Sequence, residues 1–183
     1  MKYFKDLTRL FYKIEAHDDK RQPLSLEQAM AQAIKQIRIL KRKNKKIIFI
    51  GNGGSASIAG HIATDFLKNA GIRALCFNEP SLITCLSNDL GYEYVFSKPL
   101  EMLAEKGDMV VAISSSGRSK NILGAAAAAK KKGCFLITLS GFSPKNPLRV
   151  KGRLNFYVPA DSYGYVEIAH LAICHNIADS LKI

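Results

Sequence analysis

From residue 47 onwards, short and strongly apolar runs alternate with longer runs of helical composition. Such alternation is typical of βαβ units, which build a parallel sheet covered by helices on both faces. The predicted strands are 46–50, 74–77, 109–113, 134–139 and 154–158, and the predicted helices between and after them are 57–67, 94–105, 119–132 and 165–181. The sequence therefore predicts an α/β three-layer sandwich with a mainly parallel five-stranded sheet.

Two helices are predicted ahead of the first strand. Apolar residues recur at helical spacing from Phe4 to Ile14, which predicts an amphipathic helix over about the first 16 residues. Ser25 stands three residues before Gln28, a capping-box arrangement that opens a second helix ending near residue 42. An apolar stripe on a leading helix usually packs against its own domain or a second subunit, and we expect partial use as an oligomer interface.

The length of 183 residues suits one domain, which we expect to comprise a helical pair over 1–45 and an α/β core over 46–183. A hydrophobic content of 48% and a charged content of 23% are typical of globular proteins. No apolar run approaches the roughly 20 residues of a membrane span, and the charged N-terminus lacks a signal-peptide core. We therefore expect a cytoplasmic protein without membrane association.

The net charge is +12, and residues 1–46 hold +8 of it, from 13 Lys+Arg and 5 Asp+Glu. The densest cluster, residues 41–46, has no interleaved aromatic residues on which bases could stack. A solvated helix end, where cations meet the negative end of the helix dipole, is favoured over nucleic-acid binding. The four cysteines lack paired spacing, which disfavours a disulfide framework or a thiolate zinc site.

The segment 47–69 has the pattern of a buried strand, a glycine turn and a helix. Glycines in 51–54 allow close backbone approach to an anion, and the helix start adds N–H donors. The same residues match G-x-G-x-x-A, with Glu79 as a candidate ribose acid, so a dinucleotide site is an alternative. That alternative leaves the ionisable pair on the helix, His61 and Asp65, without a role.

A second polar loop, Ser114-Ser115-Ser116-Gly117-Arg118-Ser119, follows the strand predicted at 109–113. Its hydroxyls offer neutral donors to phosphate oxygens, and Ser119 is placed to cap the next helix. Ligands of open parallel sheets bind beyond the carboxyl ends of the strands, where both loops are expected. No G-x-x-x-x-G-K-[ST] motif is present, so the two loops together favour a phosphorylated ligand other than a P-loop nucleotide.

Ionisable residues recur on two predicted helices. His61 and Asp65 are four residues apart and share a helix face. On the last helix, Glu167 and His175 are eight residues apart, an offset of only about 80° around the axis. His170 lies on the other flank of Glu167. A lone histidine on an apolar helix is more often structural, but His175 would be costly to bury without a partner.

Four segments in this order resemble one known family: GNGGSA…HIATDF, SNDLGY, ISSSGRS and EIAHLAICH. Together they resemble the SIS (sugar isomerase) domain and, more narrowly, the phosphoheptose isomerases. The resemblance covers nearly the whole chain, including the two leading helices. It implies an aldose–ketose isomerase that converts sedoheptulose 7-phosphate to D-glycero-D-manno-heptose 7-phosphate in bacterial heptose and surface-polysaccharide synthesis, through lipopolysaccharide or capsule.

The resemblance also implies roles for individual residues. The residues expected to bind substrate are Asn52, Gly53, Gly54, Ser55, Asn88, Asp89, Ser114, Ser115, Ser116, Ser119 and Glu167. The residues expected at the metal and acid/base centre are His61, Asp65, Glu167 and His175. Zinc, one ion per subunit, is the implied cofactor, and no nucleotide cofactor is implied. Family members are homotetramers whose sites draw residues from neighbouring subunits.

Two positions depart from the family pattern: Asp65 replaces the usual Glu, and Glu167 replaces the usual Gln. Two histidines and two carboxylates form a suitable ligand set for zinc. Isomerisation needs a base beside the two carbons and an acid or cation at their oxygens. We hypothesise Asp65, or Glu167 in its place, as base and His175 as acid, with His61 holding metal or orienting the carbonyl.

A non-catalytic role is the alternative. SIS domains also serve as sugar-phosphate-binding adaptors, as in the tetrameric protein that associates with the bacterial replication initiator, and a basic N-terminal third would suit such a role. An adaptor has little reason to keep His61, Asp65 and His175 around a serine cradle. The sequence therefore favours the enzyme.

Overall fold

The computed structural model describes residues 1–182. In chain order its elements are α1 (Lys2–Phe11), β1 (Glu15–Asp18), β2 (Pro23–Leu24), α2 (Leu26–Arg42), β3 (Ile47–Gly51), α3 (Gly54–Lys68), β4 (Ala74–Cys76), α4 (Pro80–Asp89), α5 (Ser97–Leu103), β5 (Met109–Ser114), α6 (Lys120–Lys131), β6 (Phe135–Ser140), β7 (Leu154–Tyr157) and α7 (Tyr163–Asp179). Single 3-10 turns lie at Tyr92–Tyr94 and Pro147–Val150.

The sheet has seven strands in the order β2-β1-β7-β6-β5-β3-β4. The five strands predicted from the sequence are present and parallel to one another. The prediction of a five-stranded sheet is wrong, because β1 pairs antiparallel with β7 and β2 pairs antiparallel with β1. The carboxyl ends of β3 and β5 lie side by side, with Gly51 opposite Ile113, so the two polar loops begin at neighbouring points.

The first helix is shorter than predicted, and the two extra strands lie between it and the second helix. Helix α1 ends at Phe11 rather than near residue 16, and β1 begins at Glu15 and leads into a polar turn. Asp18 Oδ1 accepts hydrogen bonds from the backbone N–H groups of Lys20 and Gln22, both at 2.9 Å, which returns the chain as a hairpin. Helix α2 starts as predicted, since Ser25 and Gln28 form both hydrogen bonds of a capping box.

The helices cover the sheet in two layers. Helices α2, α3 and α7 pack on one face, against Ile47 and Phe49 of β3. Helices α4, α5 and α6 pack on the other face, against Ile48 and Ile50. This alternation places every β3 side chain in a core, as expected of a parallel strand buried on both sides. Within residues 1–182, no helix combines the length and apolar character needed to cross a bilayer.

Candidate functional site

A cavity of about 270 Å³ lies at the carboxyl ends of β3 and β5. Both polar loops line it, together with the first part of α7. The predicted substrate residues found there are Asn52, Gly53, Gly54, Ser55, Ser114, Ser115, Ser116, Ser119 and Glu167. Nine of the eleven residues that the resemblance implies for substrate binding therefore line one cavity, and the two loops among them lie at the carboxyl edge of the sheet as expected.

The glycine loop brings the start of α3 to this cavity. Helix α3 begins at Gly54, after Gly53 in a conformation with φ of 54°. The carboxylate of Glu167 lies directly over Gly54, so a Cβ at that position would overlap it. Glycine at 54 therefore permits a close approach between the N-terminus of α3 and the side of α7. A helix N-terminus with exposed N–H groups favours an anionic ligand.

The serine loop presents hydroxyl groups to the same cavity. Ser115 is buried, and its Oγ has no hydrogen-bond partner among the described residues. Ser119 occupies the N-cap position of α6, as predicted, but its side chain makes no capping hydrogen bond. Buried hydroxyls are normally paired, so the unpaired Ser115 Oγ indicates a site shaped for a ligand with acceptor oxygens.

The side-chain amide of Asn146 packs against the serine loop on the side away from the cavity. The Asn146 Nδ2 group donates to Ser140 Oγ and Gly141 O at 3.2 Å and to Ser143 O at 2.9 Å. Its Oδ1 accepts the backbone N–H of Arg149 and packs directly against Gly117 of the serine loop. The loop conformation is thus fixed by a buried amide outside the cavity.

His61, Asp65 and His175 form a second cluster, whose ligand atoms all lie within 4.8 Å of one another. Asp65 Oδ2 is 3.5 Å from His61 Nε2 and 3.5 Å from His175 Nδ1. The two imidazole rings meet edge to face at 5.1 Å between centroids. Two nitrogen donors and one carboxylate are the three protein ligands of many catalytic zinc sites, which leave a further position open.

The cavity and the cluster both lie along the line of contact between α3 and α7, which we call the α3–α7 seam. At the start of α3, Gly54 contacts Glu167, and further along the helix Asp65 contacts His175. His61 follows Gly54 by seven residues, which is about 10 Å along α3 at a rise of 1.5 Å per residue. A ligand with an anionic end in the cavity would extend along this seam toward the cluster.

Not every predicted site residue joins these two groups. Glu167 lines the cavity and is not one of the three clustered ligands, although it was expected in the metal set. Asn88 and Asp89 are exposed at the end of α4 and are absent from the cavity lining. Asn88 Nδ2 donates to Asp89 Oδ1 at 2.8 Å. Their roles in hydroxyl binding stay predictions.

His170 has a structural environment. It is fully buried, and its Nε2–H donates to the backbone oxygen of Ser140 at 3.2 Å. Burial lowers the pKa of His170 to about 4, which the hydrogen bond only partly offsets, so the ring is neutral at physiological pH. Burial likewise raises the pKa of the Cys174 thiol to about 12. Neither group is poised for acid/base chemistry near pH 7.

The candidate ribose acid of the dinucleotide alternative has another function. Glu79 is the N-cap of α4, and its carboxylate accepts hydrogen bonds from Leu82 N at 2.8 Å and Ser81 Oγ at 2.6 Å. These hydrogen bonds lower the pKa of the Glu79 carboxyl. A carboxylate committed to a helix start has less capacity for a ribose hydroxyl, which weakens the dinucleotide alternative.

Two residues at the site were not predicted. Tyr163 lines the cavity at the start of α7, and its helical spacing of four residues from Glu167 was an available signal. Asn121, the second residue of α6, is almost fully buried and contacts Asn52. A polar residue in the otherwise apolar face of a helix indicates a specific partner, and that signal was also available.

Comparison with known proteins agrees with this geometry. The model of the SIS domain family matches residues 2–141. A phosphoheptose isomerase of Fusobacterium nucleatum is 32% identical over 97% of this chain and 89% of its own length. A phosphoheptose isomerase of Sulfurimonas denitrificans is 38% identical over 78% of this chain and 76% of its own length. The solved phosphoheptose isomerase of Neisseria gonorrhoeae superposes with a TM-score of 0.85, at 26% identity, over 99% of this chain and 96% of that one. A SIS domain spanning most of the chain, with relatives this similar along its length, places the protein in the phosphoheptose isomerase family.

Proposed function

We propose that this protein interconverts sedoheptulose 7-phosphate and D-glycero-D-manno-heptose 7-phosphate through an enediol, in the cytoplasmic synthesis of bacterial heptose for lipopolysaccharide or capsule. The observation that carries the proposal is the α3–α7 seam, along which the cavity lined by the glycine and serine loops and the cluster of His61, Asp65 and His175 both lie. The substrate is proposed from the names of the relatives, and the arrangement of the seam is consistent with a phosphorylated sugar.

The cavity would hold the substrate phosphate. Its donors are the N–H groups at the start of α3 and the hydroxyls of the serine loop, including the unpaired Ser115 Oγ. Neutral hydroxyls and backbone N–H groups bind a dianion without first having to break an ion pair. Fixing the phosphate end aligns the remainder of the sugar along the seam, which lowers the entropic cost of reaching the reactive geometry.

The proton transfer is assigned to Asp65 and His175. Aldose–ketose isomerisation moves a proton between two adjacent carbons, so the base and the acid must serve neighbouring atoms. Asp65 Oδ2 and His175 Nδ1 are 3.5 Å apart, whereas Glu167 precedes His175 by eight residues, or about 12 Å along α7. This separation favours Asp65 over Glu167 as the base, with His175 as proton donor at the carbonyl oxygen.

His61, Asp65 and His175 would also hold a zinc ion, one per subunit. Their donor atoms fit that ion in type and in mutual distance. A bound divalent ion would polarise the carbonyl and stabilise negative charge on the oxygens. Glu167, predicted as a further ligand, would instead contact the substrate from the cavity wall, together with Tyr163.

We further propose a homotetramer in which α1, α2 and α7 contribute to subunit contacts. An apolar groove of about 510 Å³ runs between these helices and is lined by Phe11, Leu26, Met30 and Ile34. The groove reaches Asn176, the neighbour of His175, so a subunit seated there would approach the acid/base cluster. Light scattering of wild type and Met30→Glu tests this: a monomeric variant is expected, and a wild-type monomer would contradict it.

The activity is tested by incubating the purified protein with sedoheptulose 7-phosphate, with and without added zinc, and following the products by NMR. Appearance of the heptose 7-phosphate is the expected result. Absence of conversion under both conditions would refute the assignment and favour the adaptor role or another sugar phosphate.

A further inference from the structure

The side-chain amides of Asn52 and Asn121 form a reciprocal pair. Asn52 Nδ2 donates to Asn121 Oδ1 at 3.0 Å, and Asn121 Nδ2 donates to Asn52 Oδ1 at 2.9 Å. Asn52 belongs to the glycine loop after β3, and Asn121 to the start of α6 after the serine loop. The pair therefore connects the two loops that line the candidate phosphate cavity.

The backbone fixes the orientation of this pair. The N–H of Ile122 donates to Asn121 Oδ1 at 2.9 Å, and a backbone N–H can face only the oxygen of an amide. Asn121 is 2% exposed, so solvent does not compete for these bonds. With the Asn121 oxygen held in place, the reciprocal pair admits only one orientation of the Asn52 amide.

Tyr92 completes the arrangement from a third segment. Its hydroxyl donates to Asn52 Oδ1 at 2.9 Å. The Asn52 oxygen thus accepts two hydrogen bonds, which use both of its lone pairs. One of the two Nδ2 hydrogens is directed to Asn121, which leaves the other for a ligand in the cavity that Asn52 lines.

We propose that Asn121 and Tyr92 are positioning residues that hold the Asn52 amide with one N–H directed to an oxygen of the phosphorylated sugar. This inference rests on the proposed function for its ligand. The segment after α4 then contributes to the site through Tyr92, whose hydroxyl contacts the glycine loop. Asn88 and Asp89, which precede Tyr92, do not line the cavity. Neither positioning residue needs to touch the substrate.

A double-mutant cycle tests the inference. Asn121→Ala is expected to lower kcat/KM about tenfold and Tyr92→Phe about fivefold, which is the scale of one or two neutral hydrogen bonds. The loss is expected mainly as a rise in KM. In an Asn52→Ala background the same substitutions are expected to change kcat/KM less than twofold, because they act through Asn52. Tyr92→Phe removes a single hydroxyl from a ring that is 52% exposed, so its arm of the cycle serves if Asn121→Ala does not fold. Additive losses in the cycle would overturn the inference.

A second readout does not depend on activity. The side-chain amide resonances of Asn52, identified by their loss in Asn52→Ala, are expected to shift in Tyr92→Phe. Tyr94→Phe is the matched control, since Tyr94 lies in the same turn at 44% exposure against 52% for Tyr92 and is outside the network. Equal spectra for Tyr92→Phe and wild type would overturn the inference. If the wild type does not isomerise sedoheptulose 7-phosphate, the proposed function fails, and the cycle is then run on the dissociation constant of that sugar measured by NMR titration.

Discussion

Gly117 offers a sharp test of how the serine loop is held. It has a φ of 61°, and an added Cβ would overlap Asn146 Oδ1. Asn146 is 2% exposed and has no free space into which its amide can turn without losing its partners. Gly117→Ala must therefore either move the serine loop or displace the Asn146 amide.

The magnitude follows from two contributions. A left-handed backbone costs an alanine about 1 kcal/mol relative to glycine. Displacing Asn146 loses the hydrogen bonds to Ser140, Gly141, Ser143 and Arg149, and since two amide hydrogens serve three acceptors, we count about three bonds at about 1 kcal/mol each. The total of about 4 kcal/mol corresponds to a fall in Tm of about 8–16 °C for a chain of this size.

The assay is thermal and urea unfolding of four proteins: wild type, Gly117→Ala, Asn146→Ala and the double variant. In the Asn146→Ala background the overlap with the amide is gone and only a 2.9 Å approach to the Cβ of residue 146 remains, so Gly117→Ala is expected to cost about 2 kcal/mol or less there. Gly107→Ala is the control, because its φ of 91° is also positive but its nearest contact would be an ordinary 3.7 Å. The reasoning is refuted if Gly117→Ala costs the same in both backgrounds, or no more than Gly107→Ala.

The remaining predictions concern chemistry and pH. Asp65→Asn and His175→Gln should each lower turnover of sedoheptulose 7-phosphate by about 10² or more, and full activity in both variants would exclude the assigned proton transfer. In calorimetric titration with zinc, His61→Ala should weaken binding at least tenfold while His17→Ala, on β1 outside the cluster, should not; equal affinities would contradict the zinc site. The pKa of His170 falls from 6.5 to about 4 on folding, so the unfolded chain takes up a proton first, and stability should decrease by about 3 kcal/mol as pH falls from 6.5 to 4. In urea unfolding, the His170→Leu variant should not show that decrease. A variant whose stability falls with pH as steeply as that of the wild type would contradict this prediction.

The sequence predicted the parallel core well because its strands are buried on both faces and read as continuous apolar runs. It did not predict the β1–β2 hairpin, since the spacing of apolar residues from Phe4 to Ile14 suits one amphipathic helix. β1 exists through its pairing with β7, where Ala16 lies opposite Phe156. Such non-local pairing leaves no local periodicity, whereas the Asp18 turn and Pro23 were visible in the sequence as chain reversal signals.

The site shows the same division between local and tertiary information. The glycine and serine loops were identified because each follows a strand, and parallel strands bring their carboxyl ends to one edge. The pairing of His61 with Asp65 followed from helical spacing. The positions of Glu167 and Asn121 could not be predicted from helical spacing, because they depend on how α7 packs against α3 and how α6 packs near β3. Periodicity defines a helix face but not the height at which a neighbouring helix meets it.

The α3–α7 seam also explains why side-chain length matters at its two ends. Gly54 and Asp65 are eleven residues apart, about 16 Å along α3, while Glu167 and His175 are eight apart, about 12 Å along α7. The difference of about 4 Å must be spanned by side chains, and helical side chains lean toward the helix N-terminus. The Glu167 side chain bridges this difference, since its carboxylate lies against Gly54. At the other end the two histidines converge on Asp65 at 3.5 Å, so a short carboxylate suffices to contact both. The seam therefore separates the two carboxylates in space: the longer one reaches the cavity, and the shorter one stays beside the two imidazoles, where the proposed proton transfer would take place.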